Sequence, residues 1–115
     1  MLKVIALMRR KPGLTKAQFI EYYETRHAPL MNRLQQPELV GYKRNFVDLE
    51  GAILTDGKAP WFDVVTELYY KDRASYEQCM ARLAEPEPTR LRSQDEDNFL
   101  DRSMIHFFIV DEHVT

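Results

Sequence analysis

The sequence predicts a single α+β domain over residues 1–115, of the ferredoxin-like βαββαβ type, with a four-stranded antiparallel sheet. Strand and helix patterns follow one another in the order β-α-β-β-α-(α)-β, which is the order of a split βαβ fold. The chain of 115 residues is long enough for one hydrophobic core and too short for two. The last strand pattern is apolar at both odd and even positions, which indicates a sheet covered on both faces.

The N-terminal part predicts a strand followed by a kinked helix. Residues 2–8 are apolar and rich in strand formers. Thr15 and Gln18 have the spacing of a capping box, so a helix begins after Thr15. The proline of the His27-Ala28-Pro29 segment lacks an N–H group and clashes with the preceding turn, so we expect a kink there. A shorter helix then continues to a point before Pro37.

The remainder of the chain predicts three more strands and two more helices. Dense β-branched and aromatic residues mark the strands, and Asp72 offers a cap for the first of these helices. In order, the expected elements are a strand over 40–49, a loop over 50–60, a strand over 61–70, a helix over 72–84, a break over 85–88, a helix over 89–100 and a strand over 104–110.

The last strand, residues 104–110, predicts association with a second copy of the chain. Helices cover only one face of such a sheet, and an apolar face left in water would be an unusually large exposed patch. Face-to-face pairing of two sheets across a two-fold axis covers it. We therefore expect a homodimer, a dimeric α/β barrel, with an apolar cavity between helices and sheet or between subunits.

Composition excludes several classes of partner. The formal net charge is -2 with both signs spread along the chain, which argues against nucleic acid or an anionic membrane as the main partner. The one cysteine, Cys79, excludes an internal disulfide and predicts a small packing residue. No stretch approaches the roughly 20 apolar residues that span a bilayer, and no signal-peptide layout is present, so we expect a cytoplasmic protein.

His27 is the most informative single residue. It lies four residues after Tyr23 and seven after Ile20, so it continues the inward-facing stripe of the first helix. A core histidine that donates to a free helix carbonyl at the kink is one interpretation. A buried imidazole that acts as general acid or base is the other.

Asp95 is the candidate partner of His27. Leu91, Asp95 and Phe99 are spaced i, i+4, i+8, which places a carboxylate on the apolar side of a helix. Such an inward carboxylate is costly unless it is paired or hydrogen-bonded. The alternative is a helix cap or a surface salt bridge with Arg92 or Arg102.

Other candidates are weaker. Asp63 ranks second as an acidic site residue, although a loop-edge carboxylate, or one paired with Arg44, is the more ordinary interpretation. His106 and His113 are too far apart in sequence from His27 to form a metal-ligand motif, and no phosphate loop or nucleotide motif occurs. We expect no metal and no cofactor. The residues expected to line an apolar ligand site are Tyr23, Tyr42, Trp61, Phe99 and Phe107.

Taken together, these residues resemble the EthD domain family over nearly the whole chain. The most specific motif is Phe-x-x-Tyr-Tyr-x-x-x-His-x-Pro, and three shorter matches support it. The matching stretches are Arg10-Lys11-Pro12-Gly13-Leu14-Thr15, Phe19 to Leu30, Phe62-Asp63 with Glu67-Leu68-Tyr69, and Asp95-x-x-x-Phe99-Leu100-Asp101.

The resemblance implies a dimeric α/β barrel in which the family's histidine maps to His27 and its late Asp-x-x-x-Phe motif to Asp95 and Phe99. Fungal members look like dehydratases, cyclases or decarboxylases of aromatic polyketide pathways, and related barrels include cofactor-free monooxygenases and isomerases. The second aromatic of the family's run is often Trp and is Tyr23 here, which implies a different cavity shape or hydrogen bonding.

Four functions follow as hypotheses. The leading one is a cofactor-independent lyase or cyclase acting on a small hydrophobic aromatic or polyketide-like carbonyl compound. In it His27 moves the proton, Asp95 orients His27, and Tyr42 or Tyr23 binds the oxygen. The second is a cofactor-free monooxygenase, and the third is a non-catalytic ligand-binding accessory protein. The fourth, an RNA-recognition domain, is disfavoured because the third strand is acidic and lacks glycine.

Overall fold

In the computed structural model, which describes all 115 residues, the elements follow in the predicted order. The four strands form one sheet in the order β2-β3-β1-β4, with antiparallel neighbours throughout. The ferredoxin-like α+β fold is confirmed. The elements are β1 (Leu2–Arg10), α1 (Lys16–Tyr22), α2 (Ala28–Leu34), β2 (Leu39–Phe46), β3 (Val64–Tyr70), α3 (Arg73–Leu83), α4 (Pro86–Asp97) and β4 (Leu100–Val110).

The expected kink is a π-helical turn, Tyr23–His27, which joins α1 to α2. The N–H of Ala28 donates to the carbonyl of Tyr23, five residues back. Because Pro29 has no N–H group, the usual four-residue bond is unavailable at the next position, and the wider turn accommodates this loss.

The predicted capping box at the start of α1 is confirmed: Thr15 Oγ1 accepts from the Gln18 N–H at 3.1 Å, and Gln18 Oε1 accepts from the Thr15 N–H at 2.9 Å.

Several predicted boundaries are wrong. The helices do break at residue 85, but residues 86–88 already belong to α4, because a proline in the first helical turn needs no N–H partner. That helix ends at Asp97, and β4 begins at Leu100 instead of residue 104, because Leu100 pairs with Arg10 beyond a register shift at which β4 contains the extra residues. On the other side of the sheet, the ladder between β2 and β3 ends at the pair Phe46–Val64, so both strands are shorter than expected.

The core lies between the sheet and the helices. Val4, Ala6 and Met8 alternate along β1 and are all buried on the helix-covered face. Tyr23 on the π turn and Phe99 in the turn between α4 and β4 are fully buried against this face. No helix of the chain is long and apolar enough to cross a membrane.

The opposite sheet face has no helix over it. Ile5 and Leu7 of β1 point to that face and neighbour Phe108 and His106 of β4. Phe108 is 42% exposed there, while Lys3 beside it forms an ion pair of 2.6 Å with Glu67. This mixed apolar and charged surface, the open sheet face, is the one that the sequence predicts to need a cover.

Candidate active site

A cavity of about 360 Å³ lies between the helix-covered face of the sheet and the helices. Ten of its 15 lining residues are hydrophobic, and they come from strands and helices of the same chain. Its volume lies at the small end of the range of roughly 300–1,000 Å³ that is typical of ligand sites. The residues that bring polar groups to this cavity are Tyr23, His27, Gln35, Tyr42, Thr66, Arg92 and Glu96.

The π turn and α4 bring His27 and Asp95 together, as the two helical spacings predict. His27 Nδ1 lies 2.5 Å from Asp95 Oδ2. The residues are 5% and 8% exposed, so water does not compete for this contact. The alternative for Asp95, a surface salt bridge with Arg92 or Arg102, is wrong, since both arginines approach Glu96 instead.

A second hydrogen bond fixes the protonation pattern of this pair. Tyr22 donates its hydroxyl to Asp95 Oδ1 at 2.8 Å, and Asn98 Nδ2 donates to the Tyr22 oxygen at 3.0 Å. Asp95 is therefore an acceptor on both sides, and His27 donates its Nδ1–H to it. The lone pair of neutral His27 is then on Nε2, which has no protein partner and is not fully enclosed. Because the ring also lines the cavity, Nε2 is positioned as a base for a bound molecule.

A chain of hydroxyl groups lies beside His27 in the same cavity. Tyr42 donates to the Tyr23 oxygen at 3.3 Å, and Tyr23 and Thr66 Oγ1 are 2.6 Å apart. Because Tyr42 donates to the Tyr23 oxygen, Tyr23 donates its own hydrogen to Thr66. The hydroxyl hydrogen of Thr66 is then free for a ligand oxygen. Burial raises the pKa of Tyr23 and of Tyr42, so both phenols stay protonated and act as donors.

The structure separates the five expected ligand-lining aromatics. Tyr23, Tyr42 and Phe107 line the cavity. Phe99 does not, because its ring is fully buried behind His27, with ring centres 4.7 Å apart. It supports the imidazole instead of touching a ligand.

Trp61 is the one expected lining residue that the structure places far from His27. It packs against His106, with ring centres 4.6 Å apart, next to a broad surface groove of about 650 Å³. This groove is larger than the His27 cavity, but it is open, and seven of its 14 lining residues are exposed. Two of its four cations are paired, Arg10 with Asp63 at 3.6 Å and Arg9 with Asp101 at 3.4 Å, and Lys11 donates to the Asp97 carbonyl at 2.9 Å.

Asp63 is a loop-edge carboxylate, as the ordinary interpretation holds, but Arg44 is not its partner. Asp63 accepts from the Arg10 N–H at 2.8 Å and fastens the loop before β3 to the end of β1. Arg44 instead donates to both oxygens of Glu24 at 2.7 and 2.8 Å. The two residues occupy different parts of the sheet. Arg44 lies on the helix-covered face of β2, next to α1 and the π turn, whereas Asp63 lies beyond the end of the β2–β3 ladder.

Sequence reasoning missed four polar lining residues: Gln35, Thr66, Arg92 and Glu96. Thr66 is common in strands for reasons of packing alone, so its hydroxyl gave no separate signal. Gln35 accepts a hydrogen bond from buried Tyr70 and so also has a structural partner. Glu96 was detectable in principle, because it follows Asp95 on the inner half of α4 and a helix face spans about 100° or more.

Glu96 has an unusual environment. Its side chain is only 17% exposed, and its oxygens are 3.8 Å from Arg92 Nε and 3.7 Å from Arg102 Nε. Burial, more than any other influence, raises the pKa of this carboxyl, and the neighbouring charges of Arg92, His27 and Arg102 oppose the rise.

We expect Glu96→Gln to raise the free energy of unfolding at neutral pH and to lose this advantage in acid. The folded protein holds the Glu96 proton more tightly than the unfolded chain, whose glutamates titrate near 4.5. The free energy of unfolding of the unmodified protein is therefore not reduced by Glu96 below that pH. It decreases as the pH rises through the raised pKa of the folded state, where Glu96 loses its proton. Urea titrations from roughly pH 4 to pH 8 measure the difference. Glu77→Gln, at an exposed position of α3, is the control. An advantage that grows in acid would contradict this assignment.

Comparison with known proteins adds family information to this geometry. A family profile described as EthD domain matches residues 11–103. No curated protein sequence gives a significant match. Among solved structures, an ethyl tert-butyl ether D (EthD) family protein from Bacillus halodurans C-125 is 26% identical, with a TM-score of 0.67, covering 98% of this chain and 99% of that chain.

Two further solved structures share the fold at lower identity. A protein of Arabidopsis thaliana is 11% identical with a TM-score of 0.66, and the alignment covers 100% of this chain and 98% of that chain. A protein described as an antibiotic biosynthesis monooxygenase is 23% identical with a TM-score of 0.57, over 99% of this chain and 100% of that chain.

Proposed function

The chain belongs to the EthD domain family, and on that premise we propose that it is a cofactor-independent enzyme of the lyase or cyclase type. One observation carries the proposal: buried His27 is held through Nδ1 by Asp95 at 2.5 Å, and its ring lines a largely apolar cavity. A largely buried base that is oriented by a carboxylate and lies next to hydroxyl donors is suited to proton transfer at carbon.

The first chemical step is proton abstraction next to a carbonyl group. His27 Nε2 takes the proton from the carbon, the electron pair of the broken C–H bond moves into the enolate, and Asp95 stabilises the imidazolium that forms. The hydroxyl chain that ends at Thr66 donates to the enolate oxygen. The enolate can then expel a β-hydroxyl group or attack a second carbonyl, and the related loss of carbon dioxide from a β-keto acid gives the same enolate.

The walls of the cavity support a hydrophobic, aromatic or polyketide-like substrate. Met8 and Leu68 form part of its sheet side, and Phe107 lies at its edge, 45% exposed. Apolar walls of this kind bind a ring-containing substrate because the complex buries apolar surface. The few polar groups of the cavity fix the orientation of that substrate. A volume of about 360 Å³ favours a compact ring system over a long chain.

Deuterium exchange with a model ketone tests the proposal. We expect the protein to catalyse exchange of the α-hydrogens of α-tetralone in heavy water, measured by mass spectrometry, because this reaction needs only the first step. An oxygen electrode run in parallel identifies the competing monooxygenase, which would consume dioxygen. Binding of α-tetralone with neither exchange nor oxygen uptake would instead indicate a non-catalytic accessory protein.

We also propose that a second copy of the chain covers the open sheet face. Ile5, Leu7 and Phe108 form the apolar part of that face, and isologous pairing would bury them. Sedimentation equilibrium is expected to give twice the chain mass of 13.6 kDa. Phe108→Glu should shift the mass to that of one chain, whereas Val40→Glu, at an exposed position of the β2 edge, should not. A single-chain mass for the unmodified protein would contradict this arrangement.

A further inference from the structure

Glu96 lines the same cavity as His27 but does not take part in the His27–Asp95 pair. It follows Asp95 on α4, and successive helical residues point about 100° apart. Asp95 is thus turned beneath the imidazole while Glu96 borders the open space beside it. The two acidic residues give this cavity two carboxyl groups in different environments.

The Glu96 carboxyl makes no hydrogen bond within the protein, which distinguishes it from Asp95. Asp95 accepts from both His27 and Tyr22. The nitrogen atoms nearest to Glu96, on Arg92 and Arg102, are 3.8 and 3.7 Å away, beyond hydrogen-bond distance. The two arginines balance part of the Glu96 charge, but its oxygens keep their hydrogen-bonding capacity for a molecule in the cavity.

Resting on the function proposed above, we propose that Glu96 is the second proton-transfer residue and that the substrates are β-hydroxy carbonyl compounds that lose water. His27 takes the α-proton and the C–H electron pair forms the new C=C bond. The C–O bond to the β-hydroxyl breaks, and the Glu96 proton joins the departing oxygen as water. The His27 proton then restores Glu96 through solvent, so the net change is loss of one water molecule.

The geometry assigns the acid role to Glu96 and not to Asp95. Both Asp95 oxygens are already engaged, one by Tyr22 and one by His27, so neither is available to donate to a bound molecule. The charged groups near Glu96 are Arg92 and Asp95 on its own helix, Arg102 on β4, and His27 on the π turn. Burial outweighs their combined effect and raises the pKa of Glu96, which favours the protonated form needed in an acid.

Two reactions on defined probes separate this role from that of His27. The first is α-tetralone deuteration, which has no leaving group. The second is dehydration of the aldol adduct of benzaldehyde and acetone, followed by the absorbance of its conjugated product. For Glu96→Gln we expect the ratio of dehydration rate to exchange rate to fall about 100-fold or more, the size of a general-acid contribution. Glu77→Gln, an exposed acidic position, should leave the ratio unchanged.

Each other outcome overturns one of the two proposals. An unchanged ratio in Glu96→Gln overturns the acid role of Glu96. Exchange that survives in His27→Ala, or is absent from the unmodified protein, overturns the proposed function. Infrared difference spectra of the unmodified protein against Glu96→Gln then decide on Glu96 without turnover: a protonated-carboxyl band persisting above pH 4.5 is expected, and its absence rejects the acid.

Discussion

His27→Ala is expected to abolish exchange and turnover while the protein remains folded. The variant removes the only cavity-lining imidazole and leaves Asp95 with Tyr22 as its remaining donor. Loss of a general base lowers rates by about 100- to 10,000-fold. The measurement is α-tetralone exchange, with circular dichroism to verify the fold. Added imidazole should restore part of the rate, because the deleted ring leaves a space that opens to the cavity.

His113→Ala is the matched control, because His113 also forms a histidine–aspartate pair. Its Nε2 lies 3.0 Å from Asp111 Oδ2, but the side chains are 84% and 92% exposed and lie in the C-terminal tail. This variant should retain the full exchange rate. Equal losses in both variants, or full activity in folded His27→Ala, would refute the role of His27 as the base.

Phe99→Ala is expected to cause the largest loss of stability, about 3–5 kcal/mol in the free energy of unfolding. The ring is fully buried and stacks on Tyr22 and Phe19 with ring centres 4.9 and 5.6 Å apart. It also contacts His27 at 4.7 Å, so its removal leaves a void directly behind the base. Urea unfolding measures the loss, and activity should fall as well because His27 loses its support.

Phe107→Ala provides the comparison for this loss. Phe107 lines the cavity and is 45% exposed, so its removal deletes fewer packing contacts. We expect a clearly smaller decrease in unfolding free energy than for Phe99→Ala. Similar decreases in the two variants would mean that Phe99 is not the centre of the core.

The sequence predicted the fold and the His27–Asp95 pair because both rest on periodicity. Helical spacing from Tyr23 placed His27 inward, and spacing from Leu91 placed Asp95 inward. In a ferredoxin-like fold, helices cover one sheet face, so inward residues of different helices can meet. The structure brings them to 2.5 Å.

Sequence periodicity does not show how deeply an inward-facing side chain is buried, or which course a loop follows. Phe99 was correctly placed on an inward face, but spacing cannot tell a residue that touches a cavity from one packed behind it. Trp61 lies in the loop before β3, whose path depends on the contact of Asp63 with Arg10 instead of on any repeat. Glu96 escaped notice for a related reason: a charged residue beside an inward Asp95 is normally solvated.

The cavity lies on the helix-covered side of the sheet, and the open face proposed to pair with a second copy lies on the other side. A paired molecule would therefore hold two independent reaction chambers. An assembly of one intact and one His27→Ala protomer should keep half the rate, and residues on the open face can diverge between relatives without disturbing the chemistry. Quaternary contacts and substrate choice can evolve separately in such an architecture.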